Sequence, residues 1–278
     1  MTTMTYKPPI LISGPPGAGK TSSLMSLKPE LAKRTLLINL DDKDVPWIGK
    51  THFKDIRPDC VTQLPTILKK AGESGLFDMA VLDTINTLAD TYARNFINAK
   101  TPQRKVVNGK MKTNERYVAS TEKVDVEGNP YEVVDSRAGW GYYSALLEDT
   151  ISAAKKSGMQ VVAFGHLAYK GDEDGEEFKY RCNLQGRLGK VGIEKLFTVA
   201  WHSSLMPLGA LEDQDHKFLD KVETIPATNS RHVFQVQLNA DTADTHLIRS
   251  PAGMFPPNVT FINNDLDMVF DHIQELFQ

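Results

Sequence analysis

The chain has 278 residues, 41% hydrophobic and 24% charged, with a formal net charge of -3, so it is long enough to bury a sizeable core and carries no global pull towards polyanions. Two cysteines, Cys60 and Cys182, are too few and too isolated for a disulfide scaffold or a zinc ribbon, which points to plain thiols in a reducing cytoplasm. No apolar run approaches the roughly 20 residues that span a bilayer, and no charged-then-apolar leader opens the chain, so the expectation is a soluble, cytoplasmic protein with no membrane partner.

In chain order, short apolar runs bounded by turn residues alternate with helical patterns, the mark of βαβ units and a parallel sheet. Buried strands are predicted over residues 9–13, 35–40, 78–83 and 159–165. Helices are predicted to start at Gly19, near Thr62, near Thr84 and near Trp140, the last running to a glycine stop at Gly158. Residues 100–138 are polar and aperiodic, which suggests an extended hairpin or a mobile loop, and a second polar loop covers residues 168–185. Beyond it, "LFTVAWHSSL" and "HVFQVQL" read as strands and "NNDLDMVFDHIQELF" as a closing amphipathic helix. The whole, residues 1–278, reads as one α/β domain with two polar insertions. Trp47, Trp140 and Trp201 read as core or interface residues.

The first strand runs into "GPPGAGKT", in which Gly14, Gly19, Lys20 and Thr21 fill the fixed places of a phosphate loop between a strand and a helix. Glycines let the backbone turn its N–H groups towards phosphate oxygens, and a helix start adds partial positive charge. Gly14, Pro15, Pro16, Gly17, Ala18, Gly19, Lys20, Thr21 and Ser22 are therefore the candidate ATP-binding residues. Lys20 is expected to reach the β and γ phosphates and the Thr21 hydroxyl to hold Mg²⁺. The matching acidic residue is Asp83 at the end of "FDMAVLD", a metal ligand through water, a helix N-cap, or both.

Many ATPases of the AAA+ class carry Asp-Glu at this strand end, and here the pair is Asp83-Thr84. The missing glutamate argues against that class, although "GPPGAGKT" looks like its loop. RecA-like ATPases place their catalytic base at the tip of the strand after the phosphate-loop helix, where this chain reads "TLLINLDDKD". Asp41 and Asp42 are the candidates, Asp41 first because it leaves the strand directly; a solvated acidic turn is the plain alternative. His166, at the predicted end of the strand "VVAFGHLAY", stands where RecA-like enzymes keep a polar sensor of the γ phosphate.

With these residues in view the chain resembles the phage-encoded RecA-like P-loop ATPases over most of its length. The resemblance rests on Gly14 to Thr21, Asp83-Thr84, "GWGYYSALLEDTI", Gly165-His166, "LQGRLGKVGIEKLF" and "IRSPAGMFPPNVTFINNDL". It implies a RecA-type core with a mostly parallel sheet, Mg²⁺ and ATP as cofactors, self-association into a ring or filament, and action on single-stranded DNA in phage recombination, annealing or repair. A phage single-strand binding or annealing protein is then a natural partner, and the bacterial host cytoplasm the compartment. Independently, the insertion carries Arg104, Lys105, Lys110, Lys112 and Arg116 beside Tyr117, which suits a single-strand surface as well as it suits a solvated loop. Arg187, Lys190 and Lys195 are candidates to reach a neighbour's γ phosphate in an assembly, or surface charges. Arg249, Ser250 and Pro251 suit either the nucleotide base or a subunit contact.

Three functions remain open on the sequence: an ATP-hydrolysing protein acting on DNA, an ATP-gated binding module with slow hydrolysis, and a small-molecule P-loop kinase, which shares the loop.

Overall fold

The computed structural model describes residues 6–41, 53–57, 61–92, 100–107, 110–117, 121–126, 129–134, 136–169, 180–184, 188–189, 192–214, 216–219, 225 and 227–277, and for residues 92, 100–139, 142 and 169 among them the backbone alone. In chain order come β1 (Ile10–Gly14), a 3-10 turn (Thr21–Ser26), α1 (Pro29–Lys33), β2 (Thr35–Asn39) and β3 (Lys54–Ile56). Next are α2 (Leu64–Glu73), β4 (Met79–Asp83) and α3 (Ile85–Tyr92). The first polar insertion forms two antiparallel hairpins, β5 (Lys100–Val107) with β6 (Lys110–Tyr117) and β7 (Thr121–Val126) with β8 (Asn129–Val134). Then follow α4 (Ser136–Lys156), β9 (Gln160–Tyr169), β10 (Tyr180–Cys182), β11 (Val199–Pro207), β12 (Ser230–Gln235), β13 (Phe261–Asn263) and α5 (Leu266–Leu276).

One mixed sheet runs in the order β13, β12, β11, β1, β9, β4, β2, β3, with β10 antiparallel to the end of β9. From β11 through β3 the neighbours are parallel, and β12 and β13 add antiparallel strands. The central strands are continuous apolar runs because both faces are covered, and the pleat sends alternate side chains to opposite cores. Leu11, Ala80, Leu82, Val161 and Ala163 enter one core with Leu64 and Leu68 of α2, Leu88 of α3 and Leu147 of α4. Ile10, Ile12, Val81, Val162 and Phe164 enter the other with Ala32 of α1 and Val269 and Ile273 of α5. This is the α/β core with a mostly parallel sheet flanked by helices that the sequence predicts for a P-loop nucleotide-binding fold.

The helix ends follow local chemistry. α5 buries Leu266, Val269, Phe270 and Ile273, a three-and-four spacing, and the Asp265 carboxylate caps it by accepting from Met268 N at 2.9 Å. After α4, Gly158 takes a φ of 75°, the left-handed turn at which the helix was predicted to stop.

Three differences from the sequence reading matter. The segment after the phosphate loop is a 3-10 turn where an α-helix was predicted from Gly19. Its serines explain the difference: Ser23 Oγ donates to Lys20 O at 2.5 Å and Ser26 Oγ to Ser23 O at 2.7 Å, a local bonding that competes with the α-helical ladder. β9 continues past its predicted end at Gly165 to Tyr169, because β10 pairs with residues 167–169. Lastly, β3, β10 and β13 are three-residue strands that periodicity does not reveal.

Candidate nucleotide site

The phosphate loop leaves the C-terminal end of β1, the edge at which ligands bind in parallel sheets. Pro15, Pro16, Gly17 and Ser22 are exposed, while Ala18 is buried and supports the loop from below. Gly17 and Gly19 take φ values of 77° and 87°, which a residue with a Cβ rarely adopts. Lys20 is 5% exposed, and its ammonium donates to the carbonyls of Gly14 and Pro15, each at 2.8 Å. Its charge is therefore held inside the loop.

Thr21 Oγ1 donates to Asp83 Oδ2 at 2.9 Å across 62 residues of sequence, bringing together the hydroxyl and the carboxylate predicted to share a metal ion. Asp83 is 7% exposed. Two hard oxygens at the mouth of a phosphate loop fit Mg²⁺, which prefers one or two protein oxygens together with phosphate and water. Thr21 and Asp83 are thus the residues that would hold it.

Sheet order decides where the remaining predicted residues fall. β9 lies between β1 and β4, and His166 is in register with Gly14, so His166 stands between the phosphate loop and the Asp83 tip. It is the last residue of β9 in the parallel register with β1. Asp41 follows β2, on the far side of β4. Its Oδ1 accepts from Thr84 Oγ1 at 3.1 Å and from Thr87 Oγ1, and its amide donates to Asp83 O at 3.3 Å. The Asp83-Thr84 peptide is cis. Asp42 lies outside the described residues, as do Cys60, Trp47, Arg187 and Lys190.

Lys195 is exposed and 3.9 Å from Glu148 Oε1 of α4, a surface pair of little energetic weight. Arg104 and Lys105 lie on β5, and Lys110, Lys112 and Arg116 on β6, with the backbone of Lys105 paired to that of Lys112. Arg249 Nη2 donates to the carbonyls of Glu194 and Phe197, the latter at 2.7 Å, and Ser250 Oγ accepts from Trp201 Nε1 at 2.8 Å. Those contacts give Arg249 and Ser250 structural work within the fold. Trp201 is fully buried, as predicted.

Several residues at the site escaped the sequence reading. Asn86, in the first turn of α3, accepts from His166 N at 2.6 Å and donates to Asn183 O, tying the β9 tip and the end of β10 to the helix that follows Asp83. Cys182 sits in the same cluster, fully buried, and burial pushes its thiol pKa well up. Glu194, 2% exposed, accepts from Cys182 N at 2.7 Å. On the other side of the loop, Ser203 Oγ donates to Ala18 O at 2.6 Å and Asn264 Nδ2 to Gly19 O at 3.0 Å. Nothing local in the sequence marks these residues; only the fold makes them neighbours.

A family model described as AAA domain matches residues 7–199, well over half of the chain. The chain belongs to the AAA domain family. That membership places it among nucleotide-binding, ATPase-type proteins and agrees with the phosphate loop, the sheet and the Asp83 tip. The strand end reads Asp83-Thr84, without the following glutamate of many AAA+ ATPases, and the acidic side chain beside Thr84 is that of Asp41, from the end of the neighbouring strand β2. No curated protein matches the chain. Among the described residues no helix is long and apolar enough to cross a membrane.

Proposed function

We propose that this AAA-domain chain is a Mg²⁺-dependent ATPase with a RecA-like arrangement of site residues, one domain over residues 1–278, that acts on single-stranded DNA in phage recombination, annealing or repair. The observation that carries the reading is the 2.9 Å contact between Thr21 Oγ1 and Asp83 Oδ2 beside a buried Lys20. In the bound state Lys20 exchanges its loop carbonyls for the β and γ phosphates, and the loop amides receive phosphate oxygens. Thr21 and Asp83 would hold Mg²⁺, which when bound would supply positive charge against the phosphates. His166 donates to the γ phosphate or accepts from bound water, and Asp41 accepts the proton of the attacking water. Asp42 is the second choice for the base.

The DNA part of the reading is supported by the basic residues of the β5–β6 hairpin and by the resemblance to phage RecA-like ATPases. Self-association into a ring or filament, with Arg187, Lys190 or Lys195 reaching a neighbour's nucleotide, belongs to the same proposal. So do a phage single-strand binding or annealing protein as partner and the host cytoplasm as location. One observation favours slow turnover, and with it an ATP-gated assembly module: Oδ1 of the Asp41 carboxylate is engaged by two threonine hydroxyls, which restricts how the carboxylate can turn towards water.

The test is ATP turnover by purified protein with no acceptor, with and without single-stranded DNA at low salt. Acceleration by DNA supports the reading. Phosphate transfer that requires an added small-molecule acceptor contradicts it in favour of a kinase. No binding or stimulation by DNA at low salt removes the DNA part, because phosphate contacts strengthen as salt falls.

A further inference from the structure

The segment beyond residue 199 lies outside the family match, yet it grips the phosphate loop and the turn that follows. Ser203 of β11 donates to Ala18 O at 2.6 Å, and Asn264, just after β13, donates to Gly19 O at 3.0 Å. The His232 ring of β12 packs against Gly19, where an added Cβ would meet His232 Cγ at 2.7 Å. Ser26, at the end of the 3-10 turn, accepts from Leu266 N at 2.8 Å and so joins that turn to the start of α5.

Peptide geometry gives these contacts a direction. A trans peptide is planar, with its C=O and the following N–H pointing to opposite sides. Fixing Ala18 O on Ser203 turns the Gly19 N–H away from Ser203, and Gly19 O, held by Asn264 together with Ser23 N at 3.0 Å, turns the Lys20 N–H away from both donors. Both amides thereby face away from these donors, which leaves them for the phosphate oxygens that a loop of this kind receives. The Asn264 side chain serves the loop alone, since its Oδ1 is buried and has no hydrogen-bond partner among the described residues. Gly19 is then required twice, by its φ of 87° and by the ring and amide pressed against it.

We infer that Ser203 and Asn264 are positioning residues of the nucleotide site, supplied by the part of the chain outside the family match, and that they hold the Gly19 and Lys20 amides ready for the phosphates of a nucleoside triphosphate. The inference deepens the nucleotide-binding reading and rests on it. Losing either donor weakens nucleotide binding by about threefold to tenfold, the range of one ordinary hydrogen bond. The loss falls on Kd and KM, while kcat at saturating nucleotide stays within about twofold, since the same amides hold substrate and transition state.

The experiment measures binding of a fluorescent ATP analogue in Mg²⁺ by the full-length protein and by Ser203→Ala, Ser203→Thr and Asn264→Leu, with a melting curve of each without nucleotide. The expected result is a raised Kd in Ser203→Ala and Asn264→Leu, and a Kd near the parent's in Ser203→Thr, which restores the hydroxyl. A merely structural role lowers the melting temperature and leaves Kd alone; that pattern overturns the inference. Ser203→Ala removes a single oxygen and carries the test if Asn264→Leu does not fold. Should the parent protein itself bind no analogue, the nucleotide reading fails first, an outcome distinct from parent binding with unchanged variants.

Discussion

Thr21→Val keeps the shape of the side chain and removes one hydroxyl, so it isolates the contact on which the proposed metal site depends. In the protein without nucleotide it deletes the 2.9 Å hydrogen bond to Asp83 Oδ2. A hydrogen bond to a charged group contributes about 1.5–3 kcal/mol, and because Thr21 keeps access to water the lower end applies. For a chain of this size each kcal/mol moves Tm by about 2–4 °C, so a fall of roughly 3–6 °C is expected. The second effect appears only with nucleotide. At a free concentration of 100 Kd a ligand stabilises the parent by about 2.7 kcal/mol. A tenfold weaker Kd from the lost metal contact removes about 1.4 kcal/mol of that gain. The assay is a set of thermal melts of parent and variant, without nucleotide, with a non-hydrolysable ATP analogue and Mg²⁺, and with the analogue and EDTA. A shrunken Mg²⁺-dependent rise in the variant is the expected outcome. An equal rise in both proteins would refute the assignment of Thr21 to the metal, however far the baseline Tm had moved.

Asp41→Asn keeps an acceptor for Thr84 and Thr87 and removes the basic carboxylate; kcat for ATP should drop by about 100-fold or more with KM little changed, and an unchanged kcat returns attention to Asp42. Neutralising Arg104, Lys105, Lys110, Lys112 and Arg116 together should flatten the salt dependence of single-strand binding by up to about 3.5 in slope, at about 0.7 per lost phosphate contact; an unaltered slope places the DNA elsewhere. Stability should also fall with acid on account of His202, whose pKa is lowered to about 3, first by burial and then by the neighbouring His246. The unfolded chain takes up this proton near pH 6.5 and the folded chain does not. His202 therefore contributes its full stability above about pH 6.5 and loses it as pH falls towards 3, by about 1.4 kcal/mol per unit. His202→Gln should reduce that slope in urea melts read at successive pH values, and an identical slope would show that other groups set it.

Much of the fold was legible because the chemistry is local. The runs leading into Ser13, Asn39 and Asp83 are apolar without interruption, which strands covered on both faces require. Gly14, Gly19, Lys20 and Thr21 announce their loop through spacing alone. The turn at Thr21–Ser26 misled because its serines satisfy backbone carbonyls that an α-helix would have used. Asp41 was legible from its place at the end of the strand after the phosphate loop, and the fold brings its carboxylate to Thr84 from that strand. Asn86, Ser203 and Asn264 were not legible for a different reason. Their partners lie up to 245 residues away, and no periodicity or motif encodes a contact that exists only after β9 and β10 have come beside β4, for Asn86, or β11 and β13 have joined the sheet near β1, for Ser203 and Asn264.

The most direct measurement is the conversion of ATP to ADP and phosphate by the full-length protein and by Lys20→Ala, in Mg²⁺ with no acceptor present. Steady release of phosphate by the parent, lowered at least about a hundredfold by the loss of the charge held in the loop, is the predicted result. Turnover that survives Lys20→Ala unchanged would contradict the assignment of the phosphate loop as the site of the chemistry.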